Sequence, residues 1–282
     1  MTNSTSLQTN KPGYLVVTDL DGTLLDHDNY SWDAAKPALT YLREQQIPVV
    51  INTSKTAAEV KNLQKFIGLD TPFIVENGSA IFLPKLQFKI RPPQSIEAGI
   101  YWVKLIGEER KKIVNVLQQL RKKYAWKFEG FSDWSPSEIA QRTNLSLDSA
   151  VSSAAREFSE PIVWQDNESN FNLFLQEIEK QQLKMLRGGR FIHILGNANK
   201  GASISWLRSW FRACYSNNYK IIALGDGPND IDMLKLADFP VAVKSPAHDY
   251  PVFTSDKPII HTEHYGPAGW NEAINLLKAE LK

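Results

Sequence analysis

The 282-residue chain is poor in sulfur, with one cysteine, Cys214, and three methionines. A lone thiol closes no intramolecular disulfide, and no Cys/His spacing reads as a zinc site, so the fold has to be held by its core. Long apolar runs are also missing: no stretch of about 18 such residues occurs, which leaves no candidate for a membrane-spanning helix. Met1 to Pro12 is polar and lacks the apolar stretch of a signal peptide; we read residues 1–12 as a disordered tail and the protein as cytoplasmic. Charge of one sign is lacking too. Lysine plus arginine (32) almost matches aspartate plus glutamate (31), and a net charge of +1 gives no footprint for nucleic acid or an anionic membrane. A small-molecule partner fits better, and oligomeric state has no signature in the sequence.

What is present is a sizeable apolar fraction, 43%, in a chain long enough for one large or two smaller domains. Leu15–Val17 and Val49–Ile51 are aliphatic runs without alternation, as in strands covered on both faces. Between and after them, Trp32–Gln45 and Thr56–Ile67 carry apolar residues at helical spacing, the second stopped by Gly68. Further strands are expected at Phe73–Val75, Ile81–Leu83, Ile221–Leu224 and Val241–Val243. The alternation predicts an α/β fold with a Rossmann-like parallel-sheet core. From Arg91-Pro92-Pro93 to Gly188-Gly189 the texture changes, with a polar helix at Glu108–Lys123 and an aromatic strand at Phe171–Leu175. Residues 91–189 are therefore expected to form an inserted α/β domain, and 13–90 with 190–282 the core.

Ligands of open parallel sheets gather at the carboxyl ends of the strands. There the chain reads VVTDLDGTLLD, Val16 to Asp26, with Asp19 and Asp21 beside a bend at Gly22. Like charges placed together in a partly buried pocket need a cation or a proton. Asp226 and Asp230 add oxygens, and a set of Asp19, Asp21, Asp226 and Asp230 without histidine or cysteine favours Mg²⁺ over zinc. Thr53 ends the second strand, and Lys200 lies in Asn199-Lys200-Gly201. Taken singly, an Asp-x-Asp-Gly is a surface turn and a lysine a solvated charge; four such signals in order are a site.

In that order the chain resembles the haloacid dehalogenase-like phosphatases: Asp19-Leu20-Asp21-Gly22-Thr23, then Thr53, then Lys200, then Gly225-Asp226-Gly227-Pro228-Asn229-Asp230. The resemblance implies Asp19 as nucleophile, Asp21 as acid and base, and Thr53 and Lys200 on the phosphate. It implies Mg²⁺ on the Asp19 carboxylate, the Asp21 carbonyl and Asp226, with Asp230 and Asn229 beside them or on Lys200. The insertion then takes the position of a specificity cap. Five further stretches, ENGSAIFLP, QRTNLSLDSA, AAREFSEPI, RGGRFIHILG and YGPAGWNEA, resemble the mannosyl-3-phosphoglycerate phosphatases. That likeness implies hydrolysis of a mannosyl- or glucosyl-3-phosphoglycerate. Another sugar-phosphate phosphatase, such as one for sucrose phosphate, or a phosphomutase on the same core are the alternatives.

A substrate of this kind carries a phosphate, a carboxylate and many hydroxyls. Arg142, Arg156 and Arg190 are the candidate anion-binding groups, Glu76, Asn77 and Glu160 the candidates for sugar hydroxyls, and Ser54 and Asn229 line the phosphate end. Gly188-Gly189 would let backbone approach the ligand, although a hinge serves equally well there. His193 reads as a core strand residue, His264-Tyr265-Gly266-Pro267 as a site-lining loop, and Asp232 as a helix-start charge. Lys55 stands where much of the wider superfamily has arginine, without a role that the sequence assigns.

Overall fold

The computed structural model describes residues 13–188 and 191–281. In chain order the strands are β1 (Gly13–Thr18), β2 (Val49–Asn52), β3 (Phe73–Val75), β4 (Ala80–Pro84), β5 (Ser95–Ala98), β6 (Tyr101–Leu105), β7 (Phe128–Gly130), β8 (Ser159–Trp164), β9 (Leu183–Arg187), β10 (Ile192–Gly196), β11 (Tyr219–Gly225), β12 (Phe239–Lys244) and β13 (Ile260–Tyr265). The helices are α1 (Lys36–Glu44), α2 (Ala57–Ile67), α3 (Arg110–Tyr124), α4 (Pro136–Thr143), α5 (Leu147–Ala154), α6 (Glu168–Lys180), α7 (Lys200–Tyr215), α8 (Ile231–Lys235) and α9 (Gly266–Leu277).

Among the described residues, nine strands form one sheet in the order β13-β12-β11-β1-β2-β3-β4-β6-β5. The first six are parallel and the last three antiparallel. Both faces are covered, which is why β1 shows no alternation in sequence. Val16 packs with Leu39, Val60 and Trp270 of α1, α2 and α9, whereas Leu15 and Val17 pack with Ile204 and Leu207 of α7. A second, four-stranded antiparallel sheet runs β7-β8-β10-β9. One face of it carries α3 and α6 through Ile113, Leu117, Phe174 and Ile178. Phe131, Trp134, Ile139 and Ala150 form a smaller cluster with α4 and α5.

Three expectations change. Phe171–Leu175 is not a strand but the middle of α6, capped by the Asn167 side chain, and Phe171, Phe174 and Ile178 fall at helical spacing. The two sheets do not divide at 91 and 189. Residues 95–105 belong to the large sheet because β6 pairs with β4, while β10, at 192–196, pairs with β8 and β9 of the small one. Backbone pairing across a hairpin is invisible in a stretch whose side chains read as a linker. His264 and Tyr265 end β13, and Gly266-Pro267 opens α9, so no loop stands there. Asp232 does lie in the first turn of α8. The expected tail, 1–12, lies outside the described residues.

Candidate active site

The strand order β11-β1-β2 sets three chain segments side by side, each leaving the carboxyl end of its strand, with the connections running to opposite sides of β1. A crevice forms at such a reversal. Asp19 directly follows β1, Thr53 follows β2 and Asp226 follows β11. The Thr18 hydroxyl fixes the first of these: it donates to the Asp19 carbonyl at 2.7 Å and accepts from the buried Trp270 indole at 3.0 Å. Gly22 turns with φ +77, and a Cβ there would sit 2.6 Å from Asp226 Oδ2, so only glycine lets the two loops meet. Thr23 closes the contact by donating to Asp226 Oδ1 at 3.0 Å.

Lys200 is the first residue of α7, held by Asn199, whose side chain caps the helix through the Ala202 amide at 2.6 Å. Its fully buried ammonium lies 2.6 Å from Asp19 Oδ1 and 2.6 Å from Asp230 Oδ1. Burial opposes the charge on Lys200, but Asp19 and Asp230 outweigh it and hold the amine above the ordinary lysine range. Burial pushes Asp19 up to about 7, with Lys200 pulling down and Asp230 pushing up. Asp226 is likewise raised, by burial first and by the charge of Asp19 second.

One oxygen from each of Asp19, Asp226 and Asp230 lies within 4.8 Å of the others. Two raised carboxylates facing each other with hard oxygen donors fit a cation such as Mg²⁺. Asp230 is the member least free to bind it. Its Oδ1 takes Lys200, and its Oδ2 accepts from the amides of Asp226 and Gly227 at 3.1 and 3.0 Å. Its carboxylate therefore holds Lys200 and the loop, and Asp19 and Asp226 are the better ligands.

Asp21 turns away from this buried set. Its Oδ2 lies 2.8 Å from Lys55 Nζ, whose ammonium also stands over the Tyr30 ring, 5.2 Å from its centroid. Burial opposes the Lys55 charge, but Asp21, and then Glu59, hold its amine above the ordinary value. The Thr53 side-chain oxygen accepts from the Lys55 amide at 3.2 Å, and Thr56 caps α2 in a reciprocal box with Glu59. Asp21, Ser54, Lys55 and Tyr30 form one wall of a cleft of about 510 Å³; Phe131, Leu145, Ser153, Arg156, Pro161, Phe191 and His193 of the inserted unit form the other.

Of the residues expected to meet substrate, Ser54 and Arg156 line this cleft. Arg156 is buried, bonded to the Ser54 carbonyl at 3.3 Å and the Ser159 hydroxyl at 3.0 Å. Glu76 is not open to a sugar: its buried carboxylate accepts from the amides of Glu157 and Phe158 and from the Ser159 hydroxyl, tying the large sheet to the small one. Asn77 and Asn229 bond each other at 3.3 Å. Arg142 pairs with Glu129 at 3.2 Å and lies over Trp134, and Glu160 takes Arg110 and the Ser132 amide; neither Arg142 nor Glu160 lines the cleft. Gly188 turns back onto Phe191, while Gly189 and Arg190 lie outside the described residues.

Sequence reasoning missed three participants. Asn52 is buried and donates to the Lys200 carbonyl at 3.1 Å; an asparagine closing an all-aliphatic strand was its signal. Tyr30 follows the first motif by a loop that carries no pattern of its own. His193 alternates with Ile192 and Ile194, which pack under the helices, so it faces the cleft. Its Nδ1 is shut off from water without a partner among the described residues. Burial, with Arg156 nearby, pushes the imidazole down to about 3, so it is neutral.

A parallel sheet with this aspartate and lysine crevice defines a class: residues 16–249 match the haloacid dehalogenase-like hydrolases, and the chain belongs to that family. It is 39% identical over 261 residues, 93% of this chain and 96% of the relative, to a glucosyl-3-phosphoglycerate/mannosyl-3-phosphoglycerate phosphatase of Methanococcoides burtonii. A protein of the same name from Persephonella marina is 37% identical over 272 residues, covering 95% and 98% of the two chains. Among solved structures, a haloalkanoate-superfamily phosphatase from Bacteroides thetaiotaomicron aligns over 100% of both chains with a TM-score of 0.63 and 16% identity, a likeness of fold. No helix among the described residues is long and apolar enough to cross a membrane.

Proposed function

We propose that the protein is a Mg²⁺-dependent phosphatase that hydrolyses mannosyl- or glucosyl-3-phosphoglycerate to the glycosylglycerate and phosphate, in the cytoplasm. The observation that carries the reading is the Asp19–Lys200–Asp230 triad beside Asp21, supported by near full-length likeness to two relatives of that name.

With Asp19 Oδ1 on Lys200, Oδ2 is the oxygen that attacks phosphorus in line with the departing glycerate oxygen. The P–O bond to the glycerate breaks as the acyl phosphate forms, and Asp21 gives the leaving oxygen its proton. Asp21 then takes a proton from the water that attacks phosphorus and releases Asp19. Lys200 and the Thr53 hydroxyl balance the phosphoryl oxygens, and Asn52 holds Lys200 in place through its carbonyl. Asp19 and Asp226 would hold Mg²⁺, together with the Asp21 carbonyl, and the bound ion supplies charge neutralisation of the phosphate in a site crowded with carboxylates. The neutral His193 and Arg156 stand across the cleft as partners for sugar hydroxyls.

Phosphate release from mannosyl- and glucosyl-3-phosphoglycerate, 3-phosphoglycerate, sucrose phosphate and hexose phosphates, with and without Mg²⁺, tests the reading. A kcat/KM for one of the glycosyl phosphoglycerates well above every other ester is expected. Preference for sucrose phosphate, or transfer of the phosphoryl group to a second hydroxyl without its release, would replace it.

A further inference from the structure

The cations around the cleft differ in what is left for a ligand. Lys200 is sealed between two carboxylates, Arg156 is bonded to Ser54 and Ser159, and Arg110 is bonded to Glu160. Lys55 is placed differently. Its side chain is 20% exposed on the cleft wall; its ammonium is paired with Asp21, lies over the face of Tyr30 and has the Glu59 charge nearby. An ammonium has three donors, and one carboxylate with one ring leaves it able to accept a second anion. Its position is fixed from behind: the Lys55 amide is bonded to Thr53, its carbonyl accepts the Glu76 amide at 3.0 Å, and α2 begins two residues later under its capping box.

The geometry points to Lys55 as the residue that recognises the carboxylate of the glycerate, and so selects phosphate esters with an acid group two carbons from the leaving oxygen. This rests on the substrate reading above. Asp21 has to reach the leaving oxygen, so the carbons attached to that oxygen lie beside Asp21. A carboxylate two carbons further along meets the cation already paired with Asp21. The phosphate has its own counter-charges in Lys200 and in the Mg²⁺ that Asp19 and Asp226 would hold, so Lys55 adds nothing that site lacks. The substrate carboxylate does need one, because a charge taken into a half-closed cleft without a partner binds poorly. Specificity by this route works through rejection as well as attraction: an ester without the acid leaves Lys55 on Asp21 and gains nothing.

A cycle between enzyme and substrate tests this. KM and kcat are measured for wild type, Lys55→Ala and Lys55→Arg on the glycosyl-3-phosphoglycerate and on its carboxyl methyl ester, which is uncharged there. For wild type, the acid should have a kcat/KM at least about tenfold above that of the methyl ester, chiefly through KM, as for a partly buried charge pair. In Lys55→Ala that preference should shrink to within about twofold, and Lys55→Arg should keep most of it. If Lys55→Ala lowers both substrates by the same factor and the preference survives, Lys55 only orders Asp21 and the inference is overturned. Wild-type turnover of the acid separates the two readings. Turnover without a Lys55-dependent preference removes the Lys55 assignment alone, whereas no turnover of either compound, with p-nitrophenyl phosphate still hydrolysed, removes the substrate assignment and this inference with it.

Discussion

The crevice around Asp19 and the cleft beyond it are built on opposite plans. In the crevice, charged groups are matched before any ligand arrives: Lys200 has Asp19 and Asp230, Asp230 has two amides besides, and Asp226 has Thr23. In the cleft, the lining groups include polar atoms that are buried and unmatched, the Oδ1 of Asp21, the Nδ1 of His193 and the Nε of Arg156. Bond-making groups gain from being fixed in advance, because reorganising charge during the reaction is costly. Recognition groups need vacant hydrogen-bonding capacity, because a site left with unpaired polar atoms rejects the wrong substrate.

The sharpest way to break this contrast is at Asp19. Asp19→Asn keeps the shape and removes the nucleophile, so kcat should fall by at least about a hundredfold with substrate affinity largely kept. Near-normal turnover in that variant would end the covalent mechanism. Next comes Lys200→Met, which strands two buried carboxylates. Urea unfolding should show a loss of roughly 3–5 kcal/mol, smaller at acidic pH, where a proton replaces the ammonium. A stability loss that does not change with pH would mean that the carboxylates are rehydrated instead.

Mg²⁺ affinity should depend on pH with a definite sign. Burial raises Asp19 to about 7, so below that pH a proton competes with the ion. Calorimetric titration without substrate should show binding about tenfold weaker at pH 6 than at pH 8, with proton release on binding. Equal affinity at both would show Asp19 already fully ionised by Lys200.

In the cleft, His193→Phe should raise KM for the glycosyl substrate by about three- to tenfold, the scale of one hydrogen bond. It should leave hydrolysis of p-nitrophenyl phosphate unchanged; a loss on both esters would make His193 a packing residue. The smallest effect belongs to Arg142→Ala. Its pair with Glu129 is about half exposed, so less than about 1 kcal/mol of stability and little change in KM are expected. A large rise in KM would show that Arg142 leaves Glu129 for the substrate.

Much of the large sheet was readable because buried parallel strands write themselves as unbroken aliphatic runs, as at Leu15–Val17 and Val49–Ile51. The place of Asp19 and Asp21 at the end of β1 was readable because local order, a strand then Asp-x-Asp-Gly, sets it without knowledge of anything distant. The inserted unit was less so. Phe171–Leu175 is too short a window to tell period two from period 3.6, and the strand boundary at 95–105 depends on which hairpin partner lies nearby. The assignment of Glu76 depended on amides some eighty positions away, at Glu157 and Phe158. A pairing of that kind leaves no periodic mark, and neither does the alignment of Asn52 with Lys200.

The Glu76 tie bears on how the two sheets part company. One carboxylate accepts two amides and a hydroxyl from the consecutive residues Glu157, Phe158 and Ser159 that lead into β8, with Arg156 3.7 Å away. Releasing any one donor leaves a buried charge short of partners, so the three bonds let go together or not at all.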